Sequence, residues 1–574
     1  MPITPTYPGL YIEEIPSSTH TIVAAPTSVT VFVGYTHPFK TVTFNQPMEI
    51  FGFSDYQRLF GGFFGSTAFD AQSNLFGSVA QAVNQFFLNG GGDAFVVGLK
   101  PTVGGAPLVP GSVVIGPLTF TALEITDEQH QIQIAISNVT TSGSPPGSPP
   151  GDDTCDVTIT FGPPAGSLLQ GYGVTVETYR QVSLYKTLPS GKPNPSFIET
   201  VIGNAANPVS SLVTVWAKPS AGLLQPTTGT GIPIPAILSA SSQIFNAADF
   251  TNNVFQQNSP LDKLTSIFNL MVVPGVTDNQ FSNVMAVATA FCERKRAFLI
   301  MDPPQDNSAD GTGTPAPPAI NTGVVSQTLP LIANTIEGND APYETIPLSQ
   351  NSALYFPYLE SNDPLTGLAI NPITNQAYEV PPSGTVAGIF ASTDSSRGVW
   401  KAPAGLATIL NNITDVVNRG RMNDQQQGVL NPLGVNCIRN FPGIGPVVFG
   451  ARTSVSANPS YQQWKYVPVR RMALFLEQTL YANLGWVVFE PNADPLWTAI
   501  RGSINSFMLG LFKQGAFQGD TPSQAFQVKC DSQTTTQDDI DNGIVNIVVA
   551  FAPLMPAEFV IIQIAQIAGQ TQTS

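Results

Sequence analysis

This sequence is poor in charge. Charged residues make up 11% of 574, against roughly 25% in ordinary soluble domains. With so little charge to keep copies apart, a chain either aggregates or buries much of its exterior against partners, and ordered assembly is the expectation. Basic residues are scarcer still, 23 Lys plus Arg against 39 Asp plus Glu, and no basic run is longer than Arg294-Lys295-Arg296. That argues against nucleic acid as a partner. The four cysteines, Cys155, Cys292, Cys437 and Cys530, are widely separated, with no CxxC spacing and no adjacent His. Metal and redox motifs are therefore unsupported, and no cofactor is expected. The thiols read as buried and inert in a protein made in a reducing cytoplasm, with a long-range disulfide left open. Long hydrophobic runs are missing too. The most apolar stretch, Gly543 to Gly569, is interrupted by Pro553, Pro556 and Glu558, so it reads as two strands and not as a membrane helix of about 20 residues. The opening Met-Pro-Ile-Thr-Pro-Thr-Tyr-Pro has neither the charge nor the apolar core of a secretory signal.

What is abundant is Gly (50) and Pro (51), on a chain long enough for two to four domains. Residues 1–24 read as an extended arm with a short Leu10-Tyr11-Ile12 strand and nothing to form a local core. Thr27 to Gly34 and Asp93 to Leu99 carry the β-branched strand signature. Between them Ser78 to Leu88 sets Val79, Ala82, Val83, Phe86 and Phe87 at helical spacing. After Pro101 helical periodicity vanishes until about Leu261. β-rich segments such as Gln131 to Val139 and Cys155 to Phe161 alternate there with turn clusters, including the Pro/Gly/Ser loop Ser142 to Asp153. The simplest account is a β-rich insertion into an α/β domain. The α/β pattern resumes with Phe268 to Gly275, a helix near Phe281 to Cys292 and the uninterrupted apolar strand Ala297 to Asp302, which suits a covered parallel sheet. Pro303 to Asn321 reads as a long loop, and Val386 to Ser392 opens a further helix.

From about Gly405 a second mixed domain is expected. Val469 to Leu484 lines Met472, Phe475, Leu476, Leu480 and Leu484 on one helical face. A second helix starts with Asp494 as N-cap and Pro495 in the first turn, its stripe running from Leu496 to Leu511. Strands follow at Ala525 to Cys530, Ile544 to Phe551 and Ala557 to Ala565.

Catalytic constellations are missing. Of the three histidines, His20, His37 and His130, only His37 lies on the α/β framework, and neither a G-x-S-x-G elbow, a Walker loop nor HExxH occurs. Asp538, Asp539 and Asp541 lack the twelve-residue loop pattern of an EF-hand and read as a solvated or intersubunit turn. Arg470-Arg471 at a helix start opposes the dipole, which suggests carboxylate partners such as Glu490 or a neighbour's residue, or else solvent.

A series of motifs then carries a resemblance. It runs Trp464-Lys-Tyr-Val-Pro-Val-Arg-Arg-Met, Trp486-Val-Val-Phe-Glu-Pro-Asn, Leu496-Trp497, Gly515-Ala-Phe-Gln-Gly519, Asp538-Asp-Ile-Asp-Asn-Gly543 and Ala552-Pro-Leu-Met-Pro-Ala-Glu-Phe559. Upstream stand Arg397-Gly-Val-Trp-Lys-Ala-Pro-Ala-Gly405, Leu430-Asn-Pro-Leu-Gly-Val-Asn436 and the opening Tyr7-Pro-Gly-Leu-Tyr-Ile-Glu-Glu-Ile-Pro16. In this order the sequence resembles the contractile tail sheath proteins of phages and extracellular contractile injection systems. Residues 101–250 show no such match.

The resemblance implies an α/β and α+β multidomain fold. A subtilisin-like α/β domain (25–100 and 251–395) would carry the variable β-rich insertion (101–250). A C-terminal α+β sheath domain (396–556) would face an inner tube, with linking arms at 1–24 and 557–574. It implies a structural protein and not an enzyme, stacking in hexameric rings around the tube, a helical homo-oligomer that contracts. Its further partners would be baseplate and tail terminator proteins, with no membrane insertion of the sheath itself. It would be assembled in the bacterial cytoplasm as part of a phage tail or injection particle. Tyr11, Ile12, Phe559, Ile561 and Ile564 would lie on strands donated to neighbouring subunits, and Arg501 and Lys513 would meet the tube. Those two are about 120° apart on an ideal helix, so meeting one surface requires a bend or an early helix end. The rivals from other classes are an outer adhesin or tail fibre, whose repeats are lacking, and a hydrolase on the same scaffold.

Overall fold

A computed structural model of the chain describes residues 20–63, 78–103, 106–126, 130–140, 153–163, 174–188, 190–218, 224–227, 231–236, 246–276, 278–303, 347–370, 377–417 and 421–563. The chain forms two compact units, one of residues 26–396 and 403–465, the other of 1–25, 397–402 and 466–574.

The larger unit is built on an eight-stranded sheet. Its strands are β1 (Thr30–Tyr35), β2 (Pro47–Ile50), β3 (Ala94–Leu99), β4 (Leu270–Val272), β5 (Phe298–Met301), β6 (Ser352–Phe356), β7 (Val435–Phe441) and β8 (Gly445–Val448). The order is β2-β3-β1-β4-β5-β6-β7-β8. The six inner strands are parallel, and antiparallel β2 and β8 close the two edges. Every residue of β1, β3, β4, β5 and β6 is buried, as continuous apolar parallel strands require. The sheet extends past the expected domain boundary at 396, because β7 pairs in parallel with β6.

Helices α1 (Ser78–Leu88), α2 (Asp278–Lys295) and α3 (Pro382–Arg397) belong to this unit's helical layers. The α1 and α3 backbones approach closely: a Cβ on Gly384 would lie 2.4 Å from Ala82 backbone atoms, and one on Gly388 2.6 Å from the Phe86 carbonyl oxygen. Sequence periodicity placed α2 and α3 but underestimated the length of both: α2 buries one face, through Phe281, Val284, Met285, Ala288 and Phe291, while α3 is buried all round from Pro382 to Ala391 and shows no stripe there.

Among the described residues, strands between Thr102 and Pro233 join none of the eight. They form a four-stranded sheet (175–183, 154–162, 131–140, 232–233), a three-stranded sheet (213–217, 118–122, 112–115) and two short hairpins. Alternate residues Ile132, Ile134, Ile136, Val157, Ile159 and Phe161 are buried, the period-2 pattern of a one-sided sheet. Both ends of this insertion are tied to the end of β1. The Tyr35 hydroxyl donates to Asp249 Oδ2 (2.8 Å), and Asp249 also accepts from the Thr102 amide (3.0 Å).

The smaller unit pairs α4 (Val467–Asn483) with α5 (Asp494–Lys513) over a core that includes Met472, Phe475, Leu476, Trp497, Ile500, Ile504 and Met508. Asp494 is the first helical residue and Ala493 the cap, so the carboxylate acts on the helix dipole and not as an N-cap acceptor. Strands β9 (Phe526–Lys529) and β10 (Val548–Phe551) form an antiparallel pair. No strand occupies described residues 552–563, the region of the terminal strand expected from Ala557.

Candidate functional site

The carboxyl edge of a doubly wound sheet is where such folds place ligands, and at the end of β5 a buried side-chain contact occupies it. Asp302 follows β5 and reaches the first turn of α3. Its Oδ1 accepts from the Ser383 amide (2.6 Å) and its Oδ2 from the Ser383 hydroxyl (2.7 Å). Both residues are fully buried. Burial pushes the Asp302 carboxyl up to about 7, opposed by hydrogen bonds from Ser383 and the Gly275 amide. The arrangement fits a helix N-terminus fastened to a sheet end; a nucleophile would need access that Ser383 lacks. His37, the one histidine on the framework, is buried against Phe161, with ring centroids 5.7 Å apart, and its Nδ1 accepts from the Phe39 amide (3.2 Å). Burial, helped by the charges of Lys40 and His130, pushes this imidazole down to about 3. It is a neutral core residue. Sequence inspection missed the Asp302–Ser383 pair because 81 residues separate its members; an Asp ending an apolar strand was the available signal.

The cysteines are free and buried. Burial raises all four thiols, Cys155 and Cys437 to about 12. Asp539 accepts from the Thr536 amide (2.8 Å) and hydroxyl (2.7 Å) in a capping box, so it serves a local turn. Arg470 pairs with Glu477 of its own helix at 3.2 Å, and not with Glu490.

The two cations expected to meet a tube differ in situation. The Arg501 guanidinium donates to the Cys530 carbonyl and to Thr498 Oγ1 (3.0 Å), bracing α5 against the residue after β9. Lys513 is exposed and is the last residue of α5, where a cation suits the helix dipole. The helix runs unbroken from Asp494 to Lys513, so the early end does not occur, and ideal helical geometry sets the two about 120° apart.

The terminal candidates divide at the edge of the described chain. Tyr11, Ile12 and Ile564 lie outside the described residues. Phe559 and Ile561 lie in an extended stretch in which Phe559, Val560, Ile561 and Ile562 are 72–84% exposed. The root of this tail is held where the Tyr466 hydroxyl donates to Glu558 Oε2 (3.0 Å). One exposed residue escaped sequence reading: Phe489 is wholly exposed and sits at φ 71°, a conformation costly for a bulky side chain. Its loop is held by Asn492, whose Oδ1 accepts from Trp497 Nε1 (2.9 Å) and whose Nδ2 donates to the Ile544 carbonyl (2.9 Å).

Residues 261–454 match the family profile of the phage tail sheath protein central domain, and residues 460–567 that of the phage tail sheath C-terminal domain, together just over half the chain. A tail sheath protein of Vibrio phage KVP40 is 23% identical over 174 residues, 29% of this chain, and the match spans 23% of that relative's length. The helical sheath of the anti-feeding prophage in its contracted state is similar in fold (TM-score 0.54, 21% identity, 98% of this chain and all of that one). So is the contracted PVC sheath complex of an extracellular contractile injection system (TM-score 0.53, 19% identity, 98% of each chain).

Proposed function

The chain belongs to the phage tail sheath family, and from that premise we propose that it is the structural subunit of a contractile sheath. Copies stack as hexameric rings around an inner tube and shorten to drive that tube through a target envelope. The α/β unit is the counterpart of the family's subtilisin-like domain, and its buried Ser383 and Asp302 argue for scaffold and against hydrolase. Assembly takes place in the bacterial cytoplasm, with baseplate and terminator proteins bounding the polymer.

The observation that carries this reading is the mismatch at the C-terminus. The tail residues Phe559 to Ile562 are apolar and exposed, and β9 with β10 make a sheet of two described strands. A two-stranded sheet is marginal by itself, and an open edge takes up further strands through main-chain hydrogen bonds. A tail from one subunit added to the sheet of the next satisfies both. Pairing of this kind keeps neighbours tethered while each subunit moves as a body during contraction. Lys513, exposed at the end of α5, is the better placed cation for a releasable tube contact.

Phe559→Asp with Ile561→Asp puts two charges into that added strand. The expected outcome is a folded protomer that no longer polymerises, read by thermal unfolding and by sedimentation. Polymers equal in yield and length to the unmodified chain's would refute the strand-addition account.

A further inference from the structure

Residues His20–Ala25 open the described chain, and an unusual number of groups on one stripe of α4 and the turn after it hold them. The His20 ring stacks on Trp486, centroids 3.9 Å apart and planes 17° off parallel. Ile22 is buried in the core of the smaller unit. The Asn483 carboxamide serves Val23 on both sides: its Oδ1 accepts from the Val23 amide (2.9 Å) and its Nδ2 donates to the Val23 carbonyl (2.8 Å). That is the pattern of a strand partner, supplied by one side chain. The Ala25 amide donates to Thr479 Oγ1 (3.1 Å). Asn483 is itself oriented by donating to the Thr479 carbonyl (2.8 Å). Thr479 and Asn483 are four apart on α4, the spacing that sets side chains on one helical face, and Trp486 lies in the short turn that follows the helix. Six extended residues with no sheet to join are thereby fixed by two hydrogen-bonding side chains, one aromatic ring and one buried Ile.

We propose that Thr479, Asn483 and Trp486 form a clamp that fixes His20–Ala25, the root of the N-terminal arm, so that tension on the arm passes into α4. This rests on the reading of the chain as a strand-linked sheath. Under that reading the arm must stay attached while subunits move apart from their starting positions, and an unclamped root would peel from Ile22 outward. The clamp is a positioning device: it joins no partner itself but decides where the linker begins.

The test compares the full chain, Asn483→Leu, His20→Ala and a chain lacking residues 2–19. Each is polymerised and subjected to the same shear, and polymer lengths are measured by negative-stain microscopy. Amide exchange at Val23 and Ala25 is followed in the dilute protomer. Loss of the Asn483 bonds is expected to speed exchange at Val23 about tenfold, the factor that 1.4 kcal/mol represents. Asn483→Leu and His20→Ala polymers are expected to break into short stacks, as those of the truncated chain do. Should the truncated chain break while Asn483→Leu and His20→Ala polymers keep full length, the clamp is overturned and the linked-sheath reading stands. Full-length polymers from the truncated chain would overturn that reading itself. If Asn483→Leu fails to fold, His20→Ala decides, because its ring lies outside the core.

Discussion

Replacing Asp302 with Asn and, separately, His37 with Gln should tilt the pH dependence of the larger unit's stability in opposite directions. Asp302 is held near 7 when folded, against an ordinary 3.8. Between those values the folded chain keeps a proton that the unfolded chain has lost, so stability falls as pH rises from about 4 to about 7. His37 is held near 3 when folded, against 6.5. Between those values the unfolded chain binds a proton that the folded chain refuses, so stability rises with pH until about 6.5. Each interval is a little over three pH units wide, an upper bound of about 5 kcal/mol apiece at 1.36 kcal/mol per unit. The two contributions oppose one another over nearly the same interval. The unmodified chain is therefore expected to show a shallow profile between about pH 4 and 6.5, then a small decline near 7. Asp302→Asn removes the falling component and leaves a profile that climbs with pH; His37→Gln does the reverse. Scanning calorimetry of the three chains in half-unit pH steps measures this. Parallel profiles for all three would refute the assignment of these two groups as the unit's buried titrating pair.

Phe489→Gly relieves a left-handed backbone conformation and should stabilise the smaller unit by about 1 kcal/mol, seen as later unfolding of the dilute protomer; earlier unfolding would contradict the strain. Arg501→Gln leaves the Cys530 carbonyl without its donor and should cost about 1–3 kcal/mol of the same unit's stability. Lys513→Glu puts an anion at the C-terminus of α5 and should cost about 1 kcal/mol of stability, leaving the protomer folded, yet block assembly around the tube while polymers without a tube still form. Normal tube-filled particles from Lys513→Glu would remove it from the contact.

Local patterning made much of the fold legible. β1, β3 and β5 announced themselves as β-branched or uninterrupted apolar runs, and α4 and α5 by their stripes. The extent of the large sheet was not legible, because β7 joins it through parallel pairing with β6 some eighty residues earlier, and nothing in Val435–Phe441 names its neighbour. The same distance hid the Asp302–Ser383 fastening and, across about 460 residues, the hold of Asn483 on Val23. The intrachain bond of Arg501 to the Cys530 carbonyl was not legible either, because no sequence pattern marks a backbone carbonyl as a partner. Phe489 was invisible for a different reason: a positive φ is expected at Gly or Asn, so a Phe there gives no signal until the backbone is seen. The tail read as an apolar strand from sequence, and what the structure adds is that Phe559 to Ile562 are exposed and in no strand of the described chain.

The most direct measurement is negative-stain microscopy of the full chain expressed by itself and purified without denaturant. A contractile sheath subunit is predicted to form long striated tubes, hollow and of uniform width, because under the proposed strand addition both the donated tail and the sheet that takes it up belong to this chain. Dispersed particles of protomer size at concentrations well above micromolar, with no tubes under any salt condition, would contradict the account.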